Sequence, residues 1–539
     1  MMDRPLLLKR LLWRAENVFG DKEIITRLPG GYHSYTYADY GRRTRQLAKA
    51  LEGLGVRPGD RVGTLAWNHH RHFEAYFGVP CMGGVLHTIN LRLFPEQIAF
   101  IVNHAGDRVL LVDPDQLPLV EELADRLETV EAFVVLGETV PPGTSLRPVY
   151  AYEELLADRP SDWEFPEFGE DAASGMCYTS GTTGDPKGVL YTHRSTVLHT
   201  LGLSLQDSFG VGEAMRLFLI TPMFHANAWG LPFAAAMQGS TLILPGVHPE
   251  PRTYLEVIED QRATHAVGAV TVGVLMRDAV EGAERAYDLS SLDVLWLGGQ
   301  APPRGLMEWW KTYSDTVIPQ GWGMTEASPL LTYTALRSKY AGASEEERYR
   351  VRVKQGIPLP LAEIRLVGER GEDLPWDGKS VGEYAVRAPW TARAYYNDPR
   401  TAKSFVDGWF RTGDVGVIDP DGYVHLVDRV KDLVKSGGEW ISSVELENSL
   451  MAHPKVAEAA VIGIPDETWM ERPLACITPR GDVDRAELME YLSARFAKWW
   501  VPTEYVFLHE VPKTGTGKFD KKALRARYAD PAARREERR

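Results

Sequence analysis

Cysteines and long apolar runs are both scarce in this sequence of 539 residues. The three cysteines, Cys81, Cys177 and Cys476, lie far apart and form no C-x-x-C pair, which argues against a disulfide framework and against a thiolate metal cage. No apolar run reaches the ~18–20 residues of a membrane-spanning helix. Leu6–Leu8 is interrupted at once by two basic residues, unlike a signal peptide. We therefore expect a cytoplasmic protein without a transmembrane segment.

Positive charge is also in short supply. The chain has 60 lysines and arginines against 74 acidic residues, a formal net charge of −14. It therefore lacks the general basic field of a nucleic-acid-binding protein, and an anionic ligand would be held by backbone amides and a few placed cations. The content of 44% hydrophobic and 25% charged residues is typical of a globular protein. The length predicts about three or four structural units.

Helical and strand patterns alternate along the first 140 residues. A capping box of Thr36 and Asp39 precedes a helix that we expect to end near Leu54, and an apolar strand follows at 61–66. Helices and buried strands continue to alternate up to about residue 136. This pattern is typical of an α/β fold with parallel sheets covered by helices.

The pattern changes toward the C-terminus. Short strands rich in glycine, proline and aspartate predict a β-rich subdomain at about 355–428, within a large N-terminal domain of residues 1–431. Two strand-like runs and a helix predicted at 485–499 suggest a small α+β domain at 432–539.

The most informative segment is 178–189, with the sequence YTSGTTGDPKGV. Glycines allow successive backbone amides to point at one anion, hydroxyls add donors, and a lysine adds charge. The segment therefore predicts a polyphosphate site. It is not a Walker loop, because Lys187 follows Pro186 and precedes Gly188 instead of lying in a Gly-Lys-Ser/Thr sequence.

The segment resembles the signature of the adenylate-forming superfamily, which includes acyl-CoA synthetases, nonribosomal peptide adenylation domains and luciferases. Further motifs of that superfamily follow in order at 222–229, 298–302, 320–326, 409–414, 428–447 and 512–518. Within the superfamily, Phe224–Trp229 and Lys435–Ser442 look most like bacterial medium- and long-chain fatty-acyl-CoA synthetases.

The residues of these motifs suit the chemistry that the resemblance implies. Trp322 can stack on a purine, Thr325 can bond a phosphate oxygen, and Glu326 can hold Mg²⁺, which prefers oxygen ligands. The family usually has tyrosine at the position of Trp322. By resemblance, the ATP and AMP site comprises Thr179, Ser180, Gly181, Thr183, Gly184, Lys187, Gly299, Gln300, Ala301, Gln320, Gly321, Trp322, Gly323, Met324, Thr325, Asp414, Arg429 and Lys435, with Thr182 and Glu326 at the metal.

The remaining roles also follow from the resemblance. His225, Trp229, Val270, Gly299 and Gly323 are expected to line or gate the acyl site, and Gly437, Gly438, Glu439 and Trp440 the path of CoA. Lys431 is expected to be the hinge about which the mobile C-terminal domain rotates between two half-reactions. The expected catalytic residues are Lys518, Thr182, Glu326 and His225.

These expectations describe an ATP-dependent fatty acid–CoA ligase that uses ATP, Mg²⁺ and CoA. Three alternatives remain open at this point. The enzyme could transfer its acyl group to an amine or a carrier protein, it could activate an aryl acid, or it could be an inactive nucleotide-binding sensor. The resemblance also suggests a homodimer, and a transient contact with a membrane surface is a further expectation.

Overall fold

The computed structural model describes residues 1–179, 185–299, 301–429, 431–436, 439–466, 468–514 and 519–528. The helices are α1 Leu8–Val18, α2 Tyr37–Gly53, α3 His70–Cys81, α4 Pro95–Ala105, α5 Leu117–Leu123, α6 Tyr152–Ala157, α7 His193–Leu203, α8 Leu231–Gln238, α9 Pro251–Gln261, α10 Val270–Glu281, α11 Arg304–Ser314, α12 Glu345–Arg352, α13 Thr401–Ser404, α14 Ser443–Met451, α15 Arg485–Ser493 and α16 Lys521–Tyr528.

The strands up to residue 300 are β1 Glu23–Leu28, β2 Gly31–Thr36, β3 Arg61–Leu65, β4 Val85–Thr88, β5 Asp107–Val112, β6 Ala132–Val135, β7 Val149–Ala151, β8 Ala173–Thr179, β9 Lys187–Thr192, β10 Arg216–Leu219, β11 Thr241–Leu244, β12 His265–Ala269 and β13 Val294–Gly298. They form a seven-stranded sheet in the order β7-β6-β5-β3-β4-β8-β9 and a six-stranded sheet in the order β13-β12-β10-β11-β1-β2. Neighbouring strands are parallel except for the edge pairs β8–β9 and β1–β2.

The two sheets share one core. Helices α1, α2, α3, α7 and α8 lie between them, since their buried residues join a single cluster with Val109 of one sheet and Leu242 of the other. Helices α4 and α5 cover the outer face of the seven-stranded sheet, and α9, α10 and α11 cover that of the six-stranded sheet. The predicted class of helix-covered parallel sheets is confirmed, with an antiparallel strand at one edge of each sheet.

The later strands are β14 Gly321–Gly323, β15 Leu330–Tyr333, β16 Ile357–Pro358, β17 Glu363–Val367, β18 Gly382–Arg387, β19 Phe405–Val406, β20 Trp409–Ile418, β21 Val424–Arg429, β22 Val434–Ser436, β23 Glu439–Ile441, β24 Val456–Asp466, β25 Met470–Pro479 and β26 Glu504–Phe507. Strands β17 to β21 form the β-rich sheet. Strands β22 to β26 form a separate sheet, which packs with α14, α15 and α16.

Local sequence signals account for several element ends. Thr36 Oγ1 accepts a hydrogen bond from the Asp39 amide at 3.2 Å, and Asp39 Oδ2 accepts one from the Thr36 amide at 3.0 Å. The predicted capping box therefore starts α2. The helix predicted at 485–499 ends instead at Ser493. Beyond it the chain turns, and the Arg472 guanidinium donates to the Trp499 carbonyl at 2.6 Å, a tertiary contact that local periodicity cannot reveal.

All three cysteines are buried, and no disulfide joins them. Among the described residues, no helix is long and apolar enough to cross a membrane.

Candidate active site

A large cleft opens at the carboxyl ends of the parallel strands, the edge at which α/β sheets usually bind ligands. Its space is about 3160 Å³ with the open mouth included. Thr179 at the end of β8 and Gly298 at the end of β13 line one side. Lys521 and Arg525 of α16 line the other. The cleft therefore lies between the N-terminal part of the chain and the C-terminal domain.

Asp414 and Arg429 meet in this cleft because they are directly opposite each other in the pairing of β20 with β21. Arg429 Nε lies 3.1 Å from Asp414 Oδ1, and the carboxylate raises the pKa of the arginine. Trp322 Nε1 donates to Asp414 Oδ2 at 2.8 Å. A buried carboxylate is thus fixed by two donors while it lines the cleft, an arrangement that can present an oxygen to sugar hydroxyls.

Trp322 itself is only 4% exposed, with its ring 5.2 Å from that of Tyr384. The residue that the sequence predicts to stack on a purine therefore also holds the Asp414 carboxylate. A tyrosine in this place would lack the indole N–H that makes this bond.

Glu326 lies in a second polar cluster on the cleft wall. Its Oε1 accepts a hydrogen bond from the Tyr395 hydroxyl at 2.7 Å, and Lys187 Nζ lies 4.0 Å from the centre of the Tyr395 ring. Burial lowers the pKa of Lys187, while the Glu326 charge acts in the opposite direction. Tyr395 therefore contacts both Lys187 and Glu326, and these two charged residues line the same cleft.

This cluster suits Mg²⁺ bound chiefly through substrate phosphates. Among the described residues, no group of three or more His, Cys, Asp or Glu side chains is placed to hold a metal ion. Mg²⁺ in nucleotide sites is commonly bound by one or two carboxylates together with phosphate oxygens and water. Glu326, which is 8% exposed and oriented by Tyr395, fits the part of a single protein carboxylate.

The predicted phosphate loop joins β8 to β9. Thr179 and Lys187 are cross-strand partners at its base, and both line the cleft. Ser180, Gly181, Thr182, Thr183 and Gly184 lie outside the described residues, as does Gln300. The Arg400 guanidinium donates to the Asp185 carbonyl at 3.0 Å, which anchors the end of this segment from the β-rich part of the chain.

All seven residues of the segment 320–326 line the cleft. Gln320 Nε2 donates to the Arg352 carbonyl at 2.7 Å, and its Oε1 accepts from Gln355 Nε2 at 3.0 Å. Its side chain is thus engaged with neighbouring protein groups. A Cβ at Gly323 would lie 1.9 Å from the Pro329 carbonyl oxygen, so this glycine permits a close backbone crossing.

The stretch after His225 has an unusual backbone. Ala226, Asn227, Ala228 and Trp229 all have φ between 45° and 59°, a conformation that costs non-glycine residues roughly 1–2 kcal/mol each. Gly230 continues the positive φ at 77°. Such strain persists only where surrounding structure enforces it, and it is concentrated at functional sites.

Trp229 lies where this cleft meets a second cavity. The second cavity has a space of about 970 Å³, its open mouth included, and apolar walls that include Ile220, Val270 and Val272. Both spaces are lined by Phe224, His225, Trp229, Gly298 and Gly299. A Cβ at Gly298 would lie 2.6 Å from the Trp229 ring, so the indole occupies space that only glycine leaves open. The predicted gate residue therefore lies at the junction of the two cavities. Gly323 lines the large cleft only.

The C-terminal domain brings to the cleft the residues that flank the predicted catalytic loop. Thr514 and Phe519 both line it, and Lys513 forms a backbone bridge with Phe519. Lys518 lies between them but outside the described residues. Lys431, the predicted hinge residue, lines the same cleft.

The other predicted C-terminal residues lie elsewhere. Lys435 and Trp440 face each other across β22 and β23, with Lys435 Nζ 4.2 Å from the Trp440 ring centre, and neither lines the cleft. Gly437 and Gly438 lie outside the described residues, and the structure describes only the backbone of Glu439. The cleft in this structure is therefore lined by Thr514 and Phe519, which flank the loop, and not by Lys435 or Trp440.

Sequence reasoning missed several cleft residues. Tyr395 and Arg400 bring a hydroxyl and a cation to the phosphate side, and Lys521 forms a buried pair with Glu447 at 2.7 Å. Burial raises the pKa of Glu447 to about 7, which Lys521 partly opposes. The pair of adjacent tyrosines, Tyr395 and Tyr396, was the sequence signal that could have pointed to Tyr395. Its hydrogen bond to Glu326, however, joins residues that are 69 positions apart in the sequence.

Comparison with known families accounts for this arrangement. The model of AMP-binding enzymes matches residues 12–396, and the model of the AMP-binding enzyme C-terminal domain matches residues 445–518. The chain belongs to the AMP-binding enzyme family. The predicted resemblance to adenylate-forming enzymes is therefore confirmed, and the two matched segments meet at the cleft described above.

Individual AMP-binding enzymes match over nearly the whole chain. A long-chain-fatty-acid–CoA ligase of Thermus thermophilus is 46% identical over 98% of this chain and 96% of its own. A 3-methylmercaptopropionyl-CoA ligase of Ruegeria lacuscaerulensis is 42% identical over 98% of each chain. The crystal structure of an anthranilate CoA ligase in complex with anthranoyl-AMP superposes with a TM-score of 0.86 at 28% identity, covering 99% of both chains.

Proposed function

We propose that this AMP-binding enzyme is an ATP-dependent fatty acid–CoA ligase for medium- and long-chain acids. The observation that carries the proposal is the apolar cavity that meets the nucleotide cleft at Trp229 and His225. It provides room for an acyl chain whose carboxylate would lie beside the bound nucleotide. The similarity to the Thermus ligase supports the same substrate class.

In the first half-reaction, a carboxylate oxygen attacks the α-phosphate of ATP, an acyl-adenylate forms, and pyrophosphate leaves. A carboxylate is a poor electrophile, and adenylation converts one of its oxygens into part of a good leaving group, AMP. The protein's task is to position the reactants and to stabilise charge. We assign Asp414 and Arg429 to the ribose, and Lys187 with the loop at 180–184 to the phosphates.

Magnesium would neutralise charge on the phosphates, with Glu326 and Thr182 as its protein contacts. Lys518 is assigned to the reacting phosphate and carboxylate oxygens. This assignment is supported by the position of its flanks, Thr514 and Phe519, on the cleft wall.

In the second half-reaction, the CoA thiol attacks the acyl carbonyl and expels AMP. We assign Gly437, Gly438, Glu439 and Trp440 to the path of CoA. The position of Lys435 and Trp440 outside the cleft fits a domain that rotates about Lys431 before this step. The domain boundary at 431–432, a cytoplasmic location and a homodimer remain predictions.

A screen of acids tests the proposal. Pyrophosphate release would be measured for straight-chain acids from C2 to C18, benzoate and 3-methylmercaptopropionate, with and without CoA. Each CH₂ buried in the cavity contributes about 0.8 kcal/mol, so kcat/KM should rise several-fold for each added pair of carbons until the cavity is full. A maximum at acetate, benzoate or the thioether acid would overturn the proposed substrate class. Equal yields of thioester with other thiols, or of amide with amine acceptors, would overturn the choice of CoA.

A further inference from the structure

The wall of the acyl cavity includes polar residues that do not line the nucleotide cleft. The cavity walls near Val270 are apolar, but Arg92, Tyr254 and Thr221 also line the space. Arg92 is exposed, whereas Tyr254 is half-buried and Thr221 is 3% exposed. A cavity that held only hydrocarbon would gain nothing from these groups, since polar atoms beside an alkyl chain lose hydration without compensation.

The hydrogen-bonding capacity of these groups is unused. Within the part of the chain that the structure describes, the hydrogen bond of Arg92 comes from its backbone amide, to Asn90 Oδ1 at 2.9 Å, and its guanidinium forms no ion pair. The Tyr254 hydroxyl has no hydrogen-bond partner among these residues. The buried Thr221 Oγ1 likewise has none. Arg108 provides a contrast, because its guanidinium is held by both Asp60 and Glu131. Arg92 is therefore an exposed cation on the cavity wall with its side-chain donors available.

Arg92 and Tyr254 belong to one site. The two side chains lie near enough for the guanidinium charge to act on the phenol, although burial dominates and raises the pKa of Tyr254 to about 12. The hydroxyl therefore remains protonated at neutral pH and can donate to an anion. The nearby carboxylate of Asp115 is already held by Trp67 Nε1 at 3.0 Å and by His248 Nε2 at 2.9 Å.

A ligand for this site must be apolar in its middle and anionic at the end remote from the nucleotide. Its first carboxylate would lie beside His225 and Trp229, its chain would cross the apolar walls, and its far end would meet Arg92. A guanidinium is suited to a carboxylate because its planar fork can donate two parallel hydrogen bonds.

Building on the proposed function, we propose that the enzyme also adenylates α,ω-dicarboxylic acids, with the remote carboxylate bound by Arg92 and the Tyr254 hydroxyl. The reaction at the near carboxylate is the same as for a fatty acid. The remote carboxylate forms no covalent bond and fixes the length of chain that fits. Because Arg92 is exposed, its contribution should be that of a charge-assisted hydrogen bond partly screened by water, about five- to tenfold in affinity.

The test compares each dicarboxylic acid from C6 to C16 with the monocarboxylic acid of equal length, in wild type, Arg92→Gln and Arg92→Lys. Arg252→Gln is the matched control, because Arg252 is exposed on the helix that carries Tyr254 but does not line the cavity. The wild type should use dicarboxylates with a clear optimum in length. At that length Arg92→Gln should raise KM for the dicarboxylate about five- to tenfold and change KM for the monocarboxylate less than twofold. Arg92→Lys should recover part of the loss.

Two results would overturn the proposal while leaving the fatty acid–CoA ligase activity intact. One is turnover of monocarboxylates with no dicarboxylate used at any length. The other is a change in the dicarboxylate-to-monocarboxylate ratio of equal size in Arg92→Gln and Arg252→Gln. Failure to adenylate either series would instead overturn the proposed function together with this inference.

Discussion

Replacing Trp322 with phenylalanine should weaken ATP binding by removing a single hydrogen bond to Asp414, the residue proposed to bind the ribose. Trp322 Nε1 donates to Asp414 Oδ2 at 2.8 Å, and the carboxylate is 6% exposed. A second partner of this carboxylate, Arg429, lies 3.1 Å away and would remain. A hydrogen bond to a charged group contributes about 1.5–3 kcal/mol. Because phenylalanine keeps an aromatic face, most of this loss should come from the missing N–H.

A loss at the lower end of that range corresponds to about a tenfold rise in KM for ATP, since 1.4 kcal/mol is a factor of ten. The control is Trp310→Phe. Trp310 is fully buried, and its Nε1 donates to the Gly273 carbonyl at 3.3 Å without lining either cavity. Both variants should show a lowered Tm, but only Trp322→Phe should raise KM for ATP in a pyrophosphate-release assay. Equal KM values in the two variants would refute the assignment of Asp414 to the nucleotide.

Three further substitutions test other parts of the site. Lys518→Ala should slow acyl-adenylate formation by about 10²–10³-fold, as for loss of one preorganised charge-stabilising group, and should barely affect transfer from a supplied acyl-adenylate to CoA; equal damage to the two steps would exclude alternation of the C-terminal domain. Trp229→Ala should alter acyl-chain KM far more than ATP KM, and equal changes would indicate a plain core aromatic. Tyr395→Phe keeps the ring beneath Lys187 but removes the hydrogen bond to Glu326, so the Mg²⁺ concentration for half-maximal activity should rise several-fold, which a Mg²⁺ titration measures.

Much of the fold could be predicted from local signals. The capping box of Thr36 and Asp39 correctly marked the start of α2, and the alternation of helical and strand patterns correctly predicted helix-covered parallel sheets. The helix ending at Ser493 was predicted too long. Its end depends on the turn that brings Trp499 to Arg472, and tertiary contacts of this kind leave no periodic trace in the sequence.

The candidate site was predicted from ordered motifs, and the cleft brings the described residues of most of them together. Asp414 and Arg429 are adjacent because β20 and β21 pair with these two residues opposite each other. Neither sequence motif predicts this pairing by itself. The bond from Trp322 to Asp414, the part of Tyr395 and the cation at Arg92 could not be predicted. Each depends on residues distant in sequence that meet only once the sheets and the β-rich part of the chain have folded.

The most direct test of the account is a single-turnover reaction of the purified enzyme with decanoic acid, Mg²⁺ and ATP labelled at the α-phosphate. Without CoA, the label should appear in decanoyl-adenylate, with one pyrophosphate released for each adenylate. Addition of CoA should convert this species to decanoyl-CoA and labelled AMP in equal amounts. Labelled ADP as the product, or an adenylate that persists after CoA is added, would contradict a two-step acyl-CoA ligase.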